Sequence, residues 1–217
     1  MYGFDSGLDL QPVSPGTSVV ITGPAMSGLT ELTLRLLACG DREGLIVLST
    51  DDPADEVIAN YERRDGRFDH GRMAVVDCGK ARETTSEDGN VRSVTSPTDL
   101  TGLGIQFTSL YEELYRGGID AVRVGVLSVS SLLLYAKEFR NVYRFLHTMT
   151  GRIRSADGLG VFALDPSSHD DRAVQSIVQT FDARIELRET DGGREFRVRG
   201  LAEQPEDWRS YEPVAPG

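Results

Sequence analysis

Apolar residues along this chain fall in short β-branched runs separated by stretches of helical spacing. Ser-Val-Val-Ile-Thr at 18–22 is a compact apolar run that leads into a glycine-rich turn. The segment 29–40 places leucines at 32, 34, 36 and 37 and predicts a helix that closes on Gly40 as its C-cap. A second continuous apolar run, 44–50, predicts a strand buried on both faces. Residues 53–64 predict a helix with Pro53 near its first turn and acids early, and 72–78 a third strand. The stretch 79–99 is polar and aperiodic and reads as a loop, with room for a small hairpin around Asp88-Gly89-Asn90. Its end, Ser-Pro-Thr-Asp, predicts the start of a helix running over 103–118. Residues 121–135 predict a fourth strand that runs into a turn. A helix over 137–155, a strand over 158–165 and a helix over 170–182 follow. Two strands, 183–189 and 194–200, flank Thr-Asp-Gly-Gly and predict a hairpin.

Strand–helix alternation ending in a hairpin predicts an α/β fold: a mostly parallel central sheet with helices on both faces and a C-terminal β-hairpin. One domain is expected over 1–200, with 201–217 as a surface tail. In such sheets ligands meet the loops at the carboxyl ends of the strands.

One of those loops has a motif spacing. Gly23, Pro24, Ala25, Met26, Ser27, Gly28, Leu29 and Thr30 follow the phosphate-binding pattern G-x-x-x-x-G-K-[ST], except that Leu29 stands where the lysine belongs. The backbone N–H groups of such a loop form an anion nest at a helix N-terminus. The Thr30 hydroxyl is positioned to ligate magnesium if a nucleotide binds. Leu29, however, cannot neutralise phosphate charge. The magnesium-holding aspartate of such sites ends an apolar strand, and no acid occurs between Ala121 and Tyr135.

Charge narrows the partners. The formal net charge is −11, which argues against a general nucleic-acid binder. Lys80 and Lys137 are the only lysines. Many acids and few lysines resemble salt-loving archaeal proteins, and also suit an acidic protein from a GC-rich genome. Arg140, Arg144, Arg152 and Arg154 read as a solvated helix face rather than a nucleic-acid stripe. Phe139, Tyr143 and Phe145 read as core or partner contacts. Cys39 and Cys78 read as idle thiols, and His70, His147 and His169 have no metal-ligand spacing. With no membrane-length apolar run and no signal-peptide pattern, a cytoplasmic protein is expected.

Together these motifs resemble the KaiC-like branch of the RecA superfamily, of the archaeal KaiC and gas-vesicle-regulator type, over roughly residues 7–200. The resemblance is carried by the approach LQPVSPGTSVVITGPAMSGLT, by Asp51 and Asp52 after the second strand, by Ser128 and Ser130 after the fourth, and by Arg197, Arg199 and Gly200 in the last. SPTDLTGLGIQF resembles a segment of halophilic-archaeal members. The resemblance implies a RecA-like fold and ATP with magnesium as cofactor. It implies Asp51 or Asp52 as the water-activating acid and Arg197 and Arg199 as subunit-interface candidates. Two catalytic positions depart: Leu29 at the lysine and Leu127 at the magnesium aspartate. The favoured expectation is therefore a non-hydrolysing pseudo-ATPase, a regulatory or scaffolding protein in signalling or gene regulation. Its expected partners are other proteins, RecA-like relatives or further copies of itself. The alternative is an ATP-binding protein with slow turnover, in which an arginine of its own or of a neighbour, through Arg197 or Arg199, replaces the lysine. A recombinase-like DNA-associated protein is disfavoured by the charge. Asp51 and Asp52 also read, more simply, as capping and first-turn acids of the following helix.

Overall fold

The computed structural model describes residues 1–4, 8–24, 26–65, 67–78 and 90–211. Its core is a nine-stranded sheet in the order β4-β3-β2-β5-β6-β1-β7-β8-β9. Six strands form the parallel centre: β1 (Ser18–Thr22), β2 (Glu43–Ser49), β3 (Met73–Asp77), β4 (Val91–Ser93), β5 (Ala121–Val126) and β6 (Leu159–Leu164). β7 (Ala183–Thr190) pairs parallel with β1. β8 (Gly193–Arg199) and β9 (Arg209–Tyr211) add antiparallel to it. The expected α/β architecture with its C-terminal hairpin is therefore present.

Helices cover both faces. α1 (Leu29–Leu36) and α2 (Ala54–Asp65) pack on one, where Leu32, Leu36, Val57 and Tyr61 join Val19, Ile21, Leu45 and Val47. α3 (Leu100–Arg116), α4 (Val129–Tyr135), α5 (Phe139–Ser155) and α6 (Asp171–Val178) pack on the other, through Leu103, Phe107, Leu132, Leu146 and Ile177. The central strands are buried on both sides, which is why they read as unbroken apolar runs rather than alternating ones.

Four local readings change. α1 ends at Leu36, not at Gly40, because Arg123 Nη1 donates to the Leu36 carbonyl at 2.9 Å and ends the helix from outside. Arg123 sits in β5 and is almost fully buried. It pairs with Glu43 at 2.7 Å and donates to the Gly3 carbonyl at 2.9 Å. Residues 129–135 form a helix rather than a turn, since Ser128 Oγ accepts from the Ser131 N–H and caps α4. Within the expected loop, 91–93 form β4, an edge strand parallel to β3. Asp88 and Gly89, on which the small hairpin was expected, lie outside the described residues. Finally, the segment read as a surface tail supplies β9 and buries Tyr211 against Phe196, with the two rings 6.0 Å apart.

Asp99 caps α3 by accepting from the Gly102 N–H at 2.8 Å, as the Ser-Pro-Thr-Asp reading expects. Among the described residues no helix is long and apolar enough to cross a membrane.

Candidate functional site

The carboxyl ends of β1, β2, β5 and β6 open into a pocket of about 550 Å³. The glycine-rich loop forms one wall. Met26, Gly28, Leu29 and Thr30 line it; Ala25 lies outside the described residues. Gly28 has φ 85°, a left-handed conformation suited to glycine, and opens α1 with no side-chain cap. A Cβ on it would also meet Arg194 Nη1 at 2.7 Å and the Tyr211 hydroxyl at 3.2 Å. The loop is therefore held from outside by the C-terminal strands. Arg194 Nη2 donates to the Met26 carbonyl at 3.1 Å, and the Tyr211 hydroxyl donates to the Ser27 carbonyl at 2.8 Å.

The two leucines at departed positions behave as packing residues. Leu29 is half-buried against the α1-side core while still facing the pocket. Leu127 also lines the pocket but is buried in the same core, and its N–H donates to the Leu48 carbonyl at 3.0 Å. A carboxylate at 127 would be desolvated without a partner.

The serines that follow stitch the strand ends together. Ser128 Oγ donates to Ser131 Oγ at 2.9 Å, and Ser131 Oγ donates to Asp51 Oδ2 at 2.7 Å. Ser130 Oγ donates to the Asp165 carbonyl at 3.0 Å and accepts from the Asp165 N–H at 2.8 Å. Asp51 and Asp52 both face the pocket, as the resemblance places them. Burial, then Glu56 and Asp51, raises the Asp52 carboxyl above its ordinary range. Neither side chain caps α2: the Ala54 N–H is taken by Asp77 Oδ2 at 3.1 Å, from the end of β3, and the first-turn acids are Asp55 and Glu56. Asp77 ends an apolar strand in sequence, and that was the signal available for it.

The arginine that reaches the loop is Arg194. Neither Arg197 nor Arg199 lines the pocket. Arg197 pairs with Glu186 and stacks over the Trp208 ring, 4.4 Å from its centroid, and Arg199 lies 3.7 Å from Glu206. β9 pairs with β8 over Arg194–Phe196, short of both arginines. Only the hairpin register could have singled out Arg194: it pairs Glu189 with Arg194, beside the turn and above the loop.

The electrostatics of the pocket are unusual for a phosphate site. Glu31, Asp51, Asp52 and Asp165 face it with one guanidinium, that of Arg194, whose Nη1 is 3.7 Å from Glu31. One Glu31 carboxylate oxygen is buried with no hydrogen-bond partner. A nucleoside triphosphate would add negative charge to this set without the lysine or magnesium aspartate that offset it elsewhere. The donor set present therefore does not fit a magnesium–nucleotide complex. Among the described residues no group of three or more His, Cys, Asp or Glu side chains is arranged to hold a metal ion. Burial pushes the Cys39 and Cys78 thiols up to about 12, which leaves both unreactive at neutral pH.

The fold is shared with a solved structure, a KaiC-like protein, PH0186, from the hyperthermophilic archaeon Pyrococcus horikoshii OT3. The two superpose with a TM-score of 0.62 at 14% identity, over 90% of this chain and 83% of that one. At that identity the likeness is one of fold. No curated protein matches the chain. The sequence profile described as "Family of unknown function (DUF7504)" matches residues 16–187. That span runs from the turn before β1 through most of β7 and takes in the loop, both helical layers and the pocket lining except Arg194, and the chain belongs to this family.

Proposed function

We propose that the protein is a non-hydrolysing RecA/KaiC-like pseudo-ATPase that acts as a regulatory or scaffolding module through other proteins, RecA-like relatives or copies of itself. The observation that carries this reading is the pocket at the strand ends. Both positions that would manage phosphate and magnesium charge are leucines packed on the core, and four carboxylates face a single arginine. Serines that would flank a magnesium aspartate are spent on capping α4 and tying β5 to β6. What remains is a rigid strand-to-helix junction, pinned from outside by Arg194 and Tyr211.

Calorimetric titration with magnesium–ATP in molar potassium chloride tests this directly. The expected outcome is no heat of binding at millimolar ATP and no phosphate release. Binding at micromolar strength would overturn the silent-site reading in favour of a nucleotide-binding one. One observation favours that second reading: Arg194 supplies a cation at the loop, where the lysine is missing. Its mark would be loss of the measured affinity in Arg194→Ala and a gain in Leu29→Lys.

A further inference from the structure

The crevice between α3 and α5, on the face opposite α1 and α2, is unlike any ordinary helix–helix seam in the molecule. It consists of two cavities of about 430 and 1040 Å³ that share Phe107, Thr108, Glu112, Thr148 and Arg152, with Glu112 paired to Arg116 at 2.7 Å. Arg152 reaches across to the Thr108 hydroxyl and divides them. Along α3 the crevice runs from Gly104 to Arg116, a length of about 16–18 Å, or three helical turns.

Three independent features mark it as a docking groove. Large apolar and aromatic side chains border it in the open: Ile105 is 61% and Tyr115 67% exposed. On α5 the exposed rings of Phe139, Tyr143 and His147 form a stripe at one-turn spacing, Tyr143 stacked on His147 with the planes 3° apart. Next, Gly104 and Gly151 lie inside helices, one in each wall, where alanine would be more stable by about 0.5–1 kcal/mol. A Cβ on either would meet nothing within 4 Å, so no packing need of this chain explains them. Bare backbone in both walls lets another backbone come close. Lastly, the charge here runs against the rest of the chain. In a protein of net charge −11, Arg140, Arg144 and Arg152 fall on one ridge of α5 at spacings of four and eight residues. Among the described residues none of them lies within 4.0 Å of a carboxylate, whereas arginines elsewhere are paired throughout the hairpin and around β4.

We propose that this groove binds an amphipathic helical segment of a different protein, about three turns long, with its apolar face on Ile105, Tyr115 and Tyr143 and acidic residues toward Arg140, Arg144 and Arg152. Charge complementarity selects this occupant. A long polyanion would meet the repulsion of the remaining acidic surface. Among the described residues a second copy offers no matching element, since α2, the acid-rich helix, has Val57 and Tyr61 packed into its own core. The mode is helix-in-groove recognition, with apolar anchors at i, i+3, i+4 and i+7. It does not depend on whether the strand-end pocket takes a nucleotide.

The test uses the whole chain and a fluorescent peptide of about four turns, with leucines at i, i+3, i+4 and i+7 and glutamates elsewhere, read by anisotropy. A scrambled peptide of equal composition and a single-stranded DNA of about 20 nucleotides serve as comparisons. The patterned peptide is expected to bind at least about tenfold more tightly than the scrambled one. Arg144→Glu and Tyr143→Ala, both exposed, should each weaken it about tenfold, and Arg144→Lys should restore most of the first loss. Gly151→Trp should block binding while melting like the parent, because open space lies above Gly151. No binding of the patterned peptide at about 100 μM would overturn the proposal. So would equal binding of the two peptides, tighter binding of DNA, or self-association of the chain abolished by Tyr143→Ala.

Discussion

At the carboxyl ends of β1, β2, β5 and β6 the chain sets four carboxylates against one arginine, whereas between α3 and α5 it leaves apolar rings beside Arg144 and Arg152, neither of which is paired with a carboxylate among the described residues. The first region is where a fold of this kind ordinarily meets its ligand. Ser130 and Ser131 there are spent on Asp165 and Asp51, and Leu29 and Leu127 pack on the core. The second region is an outer seam that the fold alone does not require to be open. One architecture can carry two such unlike surfaces, which is why activity has to be argued from sites rather than from folds.

The comparison breaks most visibly at Leu127. If this side chain is core rather than a site residue, Leu127→Asp buries an uncompensated carboxylate and should cost about 3 kcal/mol, read from urea denaturation. A cost below about 1 kcal/mol would mean that the pocket still has room for charge there, and the contrast between the two regions would fail. On the groove side the sign reverses. Gly151→Ala should stabilise the free chain by about 0.5–1 kcal/mol, since the residue is helical and its Cβ direction is empty. A destabilised variant would show that the seam is closed in solution.

The smallest effect sharpens the picture of the pocket itself. Burial raises the Asp52 carboxyl, so the folded chain holds that proton more readily than the unfolded chain does. Its ionised form therefore weakens the fold above the raised pKa, and the penalty is relieved as pH falls through that value. Asp52→Asn should raise the melting temperature at neutral pH, and the gain should shrink to nothing in acid. The carboxyls of Asp69 and Glu113 are instead lowered: a backbone N–H bond from Gly71, then Arg72, acts on the first, and Arg92 on the second. What they contribute is lost as pH falls, so the Asp52 effect has to be read as the difference between variant and parent.

How much of this was legible in the sequence depended on whether a residue answered to its neighbours in the chain or to distant ones. β1, β2, β3 and β6 were legible because strands buried on both faces must be continuously apolar. α5 was legible from its apolar face, and the start of α3 from Ser-Pro-Thr-Asp, whereas Asp170, read as the first residue of its helix, is the N-cap before it. The end of α1 was not, because Arg123, eighty-seven residues on, takes its last carbonyl. α4 was hidden inside an apolar run that reads equally as strand, and β4 is three half-exposed residues whose pairing is set by β3 alone. In the site, the loop spacing and both leucines could be read directly. Arg194 could not, since only the β7–β8 register brings it over the loop, while the resemblance singled out Arg197 and Arg199, which do not line this pocket, as subunit-interface candidates.

The bond from the Tyr211 hydroxyl to the Ser27 carbonyl joins positions 184 residues apart. The loop is short and glycine-rich, and it leaves the sheet early in the chain. Its settled shape nevertheless waits on the most sequence-distant strand of the sheet. Closing so long a span is entropically slow to begin and adds little local energy until the strand has docked. The turn that looks like the founding motif of the domain should thus be among the last parts of it to become rigid, set in place by β9 after the parallel core has formed.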